Sequence, residues 1–246
     1  MIKLVISGIA GKMGKRIGLL ASDDKDFKIT GALETAGNPT IGKDVGEVIG
    51  TGKTGIKVSS DLSEVSDGSV LIEFTSPQAT IIHLGEAIKK NIAMVIGTTA
   101  LGEEDIKIIK KASSKIPIVF SPNMSIGANL LFELAEEVAK KLNNNYEIEI
   151  IEAHHSQKKD APSGTAKKLQ ESVFASRKKM PVVHSIRVGD IVGDHTVIFA
   201  GNAERIELTH RAHSRDNFAK GALDAAKYLS NKKTGLYDMR DVLSKT

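Results

Sequence analysis

The chain has 246 residues, enough for one large or two small domains, and its 41% hydrophobic share excludes a wholly disordered polymer. No apolar run approaches the roughly 18 residues needed to cross a bilayer, and the absence of cysteine excludes disulfides, thiolate zinc sites and a cysteine nucleophile. Lys and Arg exceed Asp and Glu by 34 to 30, but the lysines come as scattered pairs and aromatics are only 4%, which fits a small-molecule enzyme with an anionic ligand better than a nucleic-acid binder.

The first ten residues are apolar but run straight into glycines with no small-residue cleavage site, so they read as a first strand of a cytoplasmic protein. Residues 2–7, 27–33, 70–75, 92–96 and 117–120 have the Val/Ile-rich character of strands. Segments 12–21, 77–90 and 103–114 between them are long enough for helices, with Pro77 in a first turn where its missing N–H costs nothing. Such alternation predicts an α/β domain with a mostly parallel sheet. Residues 35–57, with six glycines and a proline, read as a long, mobile excursion.

Beyond residue 124 the pattern changes. Ile126, Leu130, Leu134, Val138 and Leu142 recur every four residues, with Glu133, Glu136, Glu137, Lys140 and Lys141 on the other side, which predicts an amphipathic helix. Residues 146–153 read as a half-buried strand and 164–178 as a helix. Residues 182–188, 194–200 and 204–212 then read as three successive strands with an antiparallel signature, followed by a helix at 215–229 and a short tail. The expectation is two domains. An α/β dinucleotide-binding domain spans 1–125 and 214–246, and a smaller α+β domain with an open mixed sheet spans 126–213.

Gly8-Ile9-Ala10-Gly11-Lys12-Met13-Gly14 directly follows the first strand and opens the first helix. A pyrophosphate at a helix N-terminus needs such a turn, because glycine accepts positive φ and lacks the Cβ that would block approach. Glu34 stands 20 residues after Gly14, at the end of the second strand, where a carboxylate can accept hydrogen bonds from an adenosine ribose. Gly97-Thr98-Thr99 and Ser121-Pro122-Asn123-Met124 lie at later strand ends, the edge at which parallel sheets bind ligands.

A second concentration of polar chemistry runs from Glu152 through His154-His155, Lys158 and Asp160 to Pro162-Ser163-Gly164-Thr165-Ala166. Ser163 reads as an N-cap, and the amides of Ser163, Gly164 and Thr165, pointing outward near the Lys158 ammonium, suit a carboxylate. Adjacent His154 and His155 face opposite ways on a strand, so one of them turns to the core. Histidine titrates where general acids operate. A metal needs three or four converging ligands, and only His154, His155 and Asp160 are candidates, so none is assigned. His83, His184 and His195 are read as core or surface residues, and the dense run 209–215 as a domain junction.

These residues resemble the 4-hydroxy-tetrahydrodipicolinate (dihydrodipicolinate) reductase family of bacterial lysine and diaminopimelate synthesis. The resemblance rests on the glycine turn, on Gly97-Thr98-Thr99, on the His-His-x-x-Lys-x-Asp-x-Pro-Ser-Gly-Thr run, and on residues 204–215 with Phe218-Ala219. It implies a Rossmann-like domain that the C-terminal helix rejoins, and a substrate domain whose open sheet assembles a homotetramer. It makes His154 and Lys158 the proton donors. His155, Ser163, Gly164 and Thr165 would hold the carboxylates of a dicarboxylate substrate. Gly8, Ile9, Ala10, Gly11, Lys12, Met13, Glu34, Gly97, Thr98, Thr99, Ser121, Pro122, Asn123 and Met124 would bind NADH or NADPH. Many members carry an arginine right after the acidic residue; this chain has Thr35, which predicts that NADH serves at least as well as NADPH. Closure on binding would use hinges near 123–127 and 213–215. Two other readings stand beside this one: a different NAD(P)-dependent dehydrogenase, which has no need of the His-His-x-x-Lys group, and a redox-sensing regulator, which needs a DNA-binding element.

Overall fold

The structure, a computed structural model, describes residues 1–65 and 68–244; residues 66–67 and 245–246, expected in the first domain, lie outside the described residues. The chain divides into two compact units, Met1–Met124 with Phe218–Thr246, and Ser125–Asn217.

The first unit begins as strand–helix alternation. Its strands are β1 (Ile2–Ser7), β2 (Phe27–Leu33), β3 (Val58–Ser59), β4 (Val70–Glu73), β5 (Ala93–Ile96) and β6 (Pro117–Phe120). Its helices are α1 (Lys12–Asp23), α2 (Val45–Ile49), α3 (Pro77–Lys90) and α4 (Glu103–Ala112). All strand pairs here are parallel, in the order β6-β5-β4-β1-β2-β3. Strands β4 and β5 are buried along their whole length, as a parallel sheet covered on both faces requires. Ser76 caps α3 through Ala79 N–H, and Pro77 occupies its first turn as expected.

The glycine-rich stretch 35–57 is not a structureless excursion, because it holds α2 and is gathered around one carboxylate. Asp44 accepts from the backbone N–H groups of Gly46 (2.8 Å), Thr54 (2.9 Å) and Gly55 (2.6 Å) and from the Thr54 hydroxyl. Those bonds, led by the Thr54 amide, hold its pKa down to about 2.

The second unit contains α5 (Ile126–Lys141), β7 (Glu147–His154), α6 (Gly164–Arg177), β8 (Val182–Arg187), β9 (Gly193–Ala200) and β10 (Arg205–Ala212). Its sheet runs β10-β9-β7-β8. β9 is antiparallel to β10 and β7, but β8 pairs with β7, parallel to it, and not with β9, so the three successive strands alternate in direction without forming one continuous antiparallel run as expected. The cause is α6, since a helix crossover returns a strand parallel to the one it left.

The buried face of α5 also differs from the four-residue stripe. Ala128, Leu131, Phe132, Ala135 and Ala139 are buried, whereas Leu130 and Leu134 are exposed. At 3.6 residues per turn, a strict spacing of four drifts about 40° per step, so it cannot keep facing one neighbour. The buried line, mixing steps of three and four, tracks the core of Ile150, Val197, Phe199, Leu169 and Val173.

The chain returns to the first unit through α7 (Asp216–Leu229), then β11 (Gly235–Tyr237) and α8 (Met239–Leu243). The short tail thus contains a seventh strand, parallel to β6 at the sheet edge. Among the described residues no helix is long and apolar enough to cross a membrane.

Candidate active site

In the first unit, the sheet order places the ends of β4 and β1 side by side where the strand sequence reverses direction, the crevice in which open α/β sheets bind ligands. Gly8 follows β1 with φ of +76°, and a Cβ there would stand 2.6 Å from the Phe74 carbonyl oxygen. A Cβ on Gly14 would fall 2.0 Å from the Gly8 carbonyl oxygen. Side chains at either position would destroy the turn. Gly11 is the N-cap of α1, and no side chain caps that end of the helix. A tight, side-chain-free turn at a helix N-terminus fits a dinucleotide pyrophosphate.

Glu34 is brought to the same turn, its Oε2 accepting from Ala10 N–H at 3.0 Å. Its Oε1 accepts from Thr35 N–H at 3.0 Å. Thr99 is exposed after β5, while Thr98 is buried and bonded by Thr75 N–H at 3.1 Å. Ile9 is fully buried, and its N–H donates to the Leu33 carbonyl at 3.2 Å. After β6, Ser121 and Met124 are buried, and the Ser121 hydroxyl donates to the Asn123 carbonyl at 2.8 Å. Lys12 is exposed and Met13 half-buried on the first turn of α1. The sequence reading named the ends of β1, β2, β5 and β6 and missed the end of β4, whose Phe74 ring covers Gly97 at the centre of the group.

In the second unit, the period-two alternation of strands places Glu152 and His154 of β7, Arg187 of β8 and His195 of β9 on the helix-covered face of the sheet. His154 is therefore the core-facing member of its pair, 7% exposed, while His155 is half-buried and its N–H donates to Ile191. Glu152, fully buried, is the hub. It accepts from His154 Nδ1 (2.5 Å), from both terminal nitrogens of Arg187 (2.9 and 2.7 Å) and from Ser163 N–H (3.2 Å).

Burial pushes the Glu152 carboxyl up, but bonds from Arg187, Ser185 and His154 outweigh it and hold the pKa at about 2. An ionised carboxylate only accepts, so Nδ1 of His154 carries a proton and Nε2 is the nitrogen left for chemistry. Burial, helped by the charges of Lys158 and Arg187, outweighs Glu152 and lowers the His154 pKa.

Ser163 caps α6 through Ala166 N–H as expected. Its own amide, however, points inward to Glu152, so the outward anion site expected from three amides is corrected at this residue; the inward turn satisfies one more lone pair of a buried charge. Gly164 is exposed and Thr165 half-buried on the first turn of α6. Lys158 Nζ sits 2.7 Å from Asp160 Oδ1, with a side chain 22% exposed. His195, expected to be merely core or surface, belongs to this cluster. Its Nε2 lies 3.0 Å from Ser163 Oγ, its ring meets that of His154 edge-on at 5.2 Å, and burial pushes its pKa down to about 3. Glu152 entered the sequence reading without a role, and Arg187 was missed; both sit on predicted strands, where alternation alone gives polar residues no signal.

Two sequence comparisons decide the family. The family described as dihydrodipicolinate reductase, N-terminus, matches residues 2–124, and its C-terminus counterpart matches residues 127–243. The chain belongs to the dihydrodipicolinate reductase family. Within it, this chain is 42% identical to the 4-hydroxy-tetrahydrodipicolinate reductase of Syntrophus aciditrophicus (strain SB), over 99% of this chain and 98% of that protein. It is 45% identical to the namesake from Polynucleobacter necessarius subsp. necessarius (strain STIR1), over 98% of each. Dipicolinate-bound dihydrodipicolinate reductase from Paenisporosarcina sp. TG-14 shares the fold, with a TM-score of 0.83, 22% identity and 98% of each chain covered. The Rossmann-like sheet and the smaller mixed sheet are thus those of the family.

Proposed function

We propose that the chain is an NAD(P)H-dependent oxidoreductase that converts (2S,4S)-4-hydroxy-2,3,4,5-tetrahydrodipicolinate to (S)-2,3,4,5-tetrahydrodipicolinate and water, in lysine synthesis by the diaminopimelate route. The observation that carries this reading is full-length identity above 40% to reductases of that name, together with the buried pair that Glu152 makes with His154, the first residue of the His-His-x-x-Lys run.

Loss of the 4-hydroxyl with a ring proton leaves a conjugated imine. NAD(P)H, when bound, supplies the hydride that adds to C4 of this ring. The glycine turn and Glu34 hold the dinucleotide, with Gly97, Thr98 and Thr99 and the segment Ser121 to Met124 completing its site. His155 and the first turn of α6 that Ser163 caps, through Gly164 and Thr165, hold the substrate carboxylates, and the negative charge of hydride addition is quenched by a proton from His154 or Lys158. A dicarboxylate beside His154 raises the proton affinity of a ring that is otherwise mostly neutral, so the acid is created by the substrate it serves. General-acid help of this kind is worth about 10²- to 10⁴-fold.

The same reading assembles a homotetramer in the cytoplasm. Its support is the sheet face opposite α5 and α6, where Val182 and Ile186 are 56% and 45% exposed beside Ile151 and Ile198. The deciding experiment follows NADH absorbance with substrate generated in situ by the synthase that precedes this step. Oxidation of NADH dependent on that substrate is expected, and its absence at micromolar enzyme would defeat the assignment.

A further inference from the structure

Strand β4 carries a carboxylate where its neighbours are Val70, Leu71 and Ile72, and Glu73 is as buried as they are. A buried charge is retained only where it is paired and bonded. Glu73 Oε2 lies 2.8 Å from Nδ1 of His83, which projects from α3, and Oε1 accepts from the Thr75 hydroxyl. Burial works against a charged His83 ring, but the bond and charge of Glu73 outweigh it and raise its pKa. The same Nδ1 is 3.2 Å from the hydroxyl of Ser7, the residue just before the Gly8 turn.

The backbone around Glu73 completes the pattern. The Glu73 carbonyl accepts from Gly97 N–H at 3.0 Å. Phe74 stands between the two glycine turns, its carbonyl against Gly8 and its ring against Gly97. Thr75 N–H bonds Thr98 Oγ1, which is 2.9 Å from the Thr80 hydroxyl on α3. One buried pair therefore ties together the ends of β1, β4 and β5, the strands whose following turns are assigned to the dinucleotide.

We propose that Glu73 and His83 are positioning residues for the dinucleotide, fixing the spacing between the Gly8 turn and the Gly97-Thr98-Thr99 turn. The pair touches no reacting atom. Without it, the Glu73–Thr75 corner is free to shift, and with it the backbone groups that must meet the cofactor simultaneously. This inference rests on the dinucleotide site proposed above.

The test is titration of NADH fluorescence against the full chain without substrate, alongside kcat at saturating NADH and thermal melts. His83→Leu is expected to raise the NADH Kd about tenfold, the worth of one hydrogen bond to a charged group, with kcat kept within about threefold. His83→Asn, which restores an N–H near the Nδ1 position, is expected to recover most of the affinity. Should His83→Leu not fold, Glu73→Gln, which keeps the shape and removes the charge, carries the same comparison. A lowered melting temperature with an NADH Kd within about twofold of wild type would make the pair purely structural and overturn the proposal. Glu34→Gln separates the two levels. If it weakens NADH binding while His83→Leu does not, only the positioning role falls. If neither weakens it, the placement of the dinucleotide falls as well.

Discussion

Glu152 Oε2 stands 2.5 Å from Nδ1 of His154, and the same carboxylate receives both terminal nitrogens of Arg187. This arrangement fixes the imidazole tautomer and ring orientation while neutralising a cation at the end of β8. It also makes stability depend on acid pH. The Glu152 pKa is about 2 against an ordinary 4.5, so its contribution is fully present above about pH 4.5 and is lost as the pH falls through 2. The difference corresponds to about 3 kcal/mol. Thermal melts between pH 2 and 6 are expected to show an acid limb in the wild type that is shallower in Glu152→Gln, where Asp44 still titrates. That variant strands Arg187 and should lose about 3–5 kcal/mol at neutral pH. Parallel melting curves for the two proteins would show that the carboxylate is not the buried anion described.

The two proton-donor candidates are separable by their surroundings. His154 is enclosed and its Nδ1 is bonded to Glu152, whereas Lys158 is paired with Asp160 near the surface. His154→Gln is expected to lower kcat by about 10²- to 10⁴-fold with little change in substrate KM. Lys158→Ala removes a charge that a dicarboxylate would meet, so both kcat and substrate binding should fall. Steady-state kinetics read both, and unchanged turnover in both variants would remove these residues from the chemistry.

Much of this was legible in the sequence, for reasons that vary by residue. The Gly8 turn and the β1, β2, β5 and β6 ends were readable because parallel strands are continuous apolar runs and their ligand edge is polar. β11 was not, since a three-residue strand carries no period. β8 was misjudged by pairing it with the strands after it, although α6 lies between it and β7. Glu152, Arg187 and Glu73 act through partners 35, 35 and 10 positions away in the chain, a proximity that only the folded sheet creates.

Cofactor choice follows from the residue after Glu34. Thr35 is exposed and its N–H is spent on the Glu34 carboxylate, so residue 35 itself brings no cation to a 2′-phosphate. NADH is expected to serve at least as well as NADPH. Thr35→Arg should move the ratio of the two kcat/KM values toward NADPH by about tenfold, the worth of a charge-assisted bond to phosphate. A hundredfold NADPH preference in the unaltered protein would mean that another cation, with the exposed Lys12 on the first turn of α1 the candidate, reads the phosphate.

Gly193 tests the working nitrogen of His154 without touching it chemically. The first residue of β9, it lies where an added Cβ would stand 3.1 Å from His154 Nε2 and 3.4 Å from Cδ2. Contacts that close require the ring to yield by a few tenths of an ångström, yet Glu152 holds its other side at 2.5 Å. The imidazole can move only by lengthening that bond or by turning Nε2 away from the substrate. Gly193→Ala is therefore expected to lower kcat by about tenfold, because sub-ångström misplacement of a reacting group is costly, while NADH binding in the other unit stays at its wild-type Kd. Full turnover in Gly193→Ala, with the melting temperature unchanged, would mean that Nε2 of His154 is not the atom that faces the substrate.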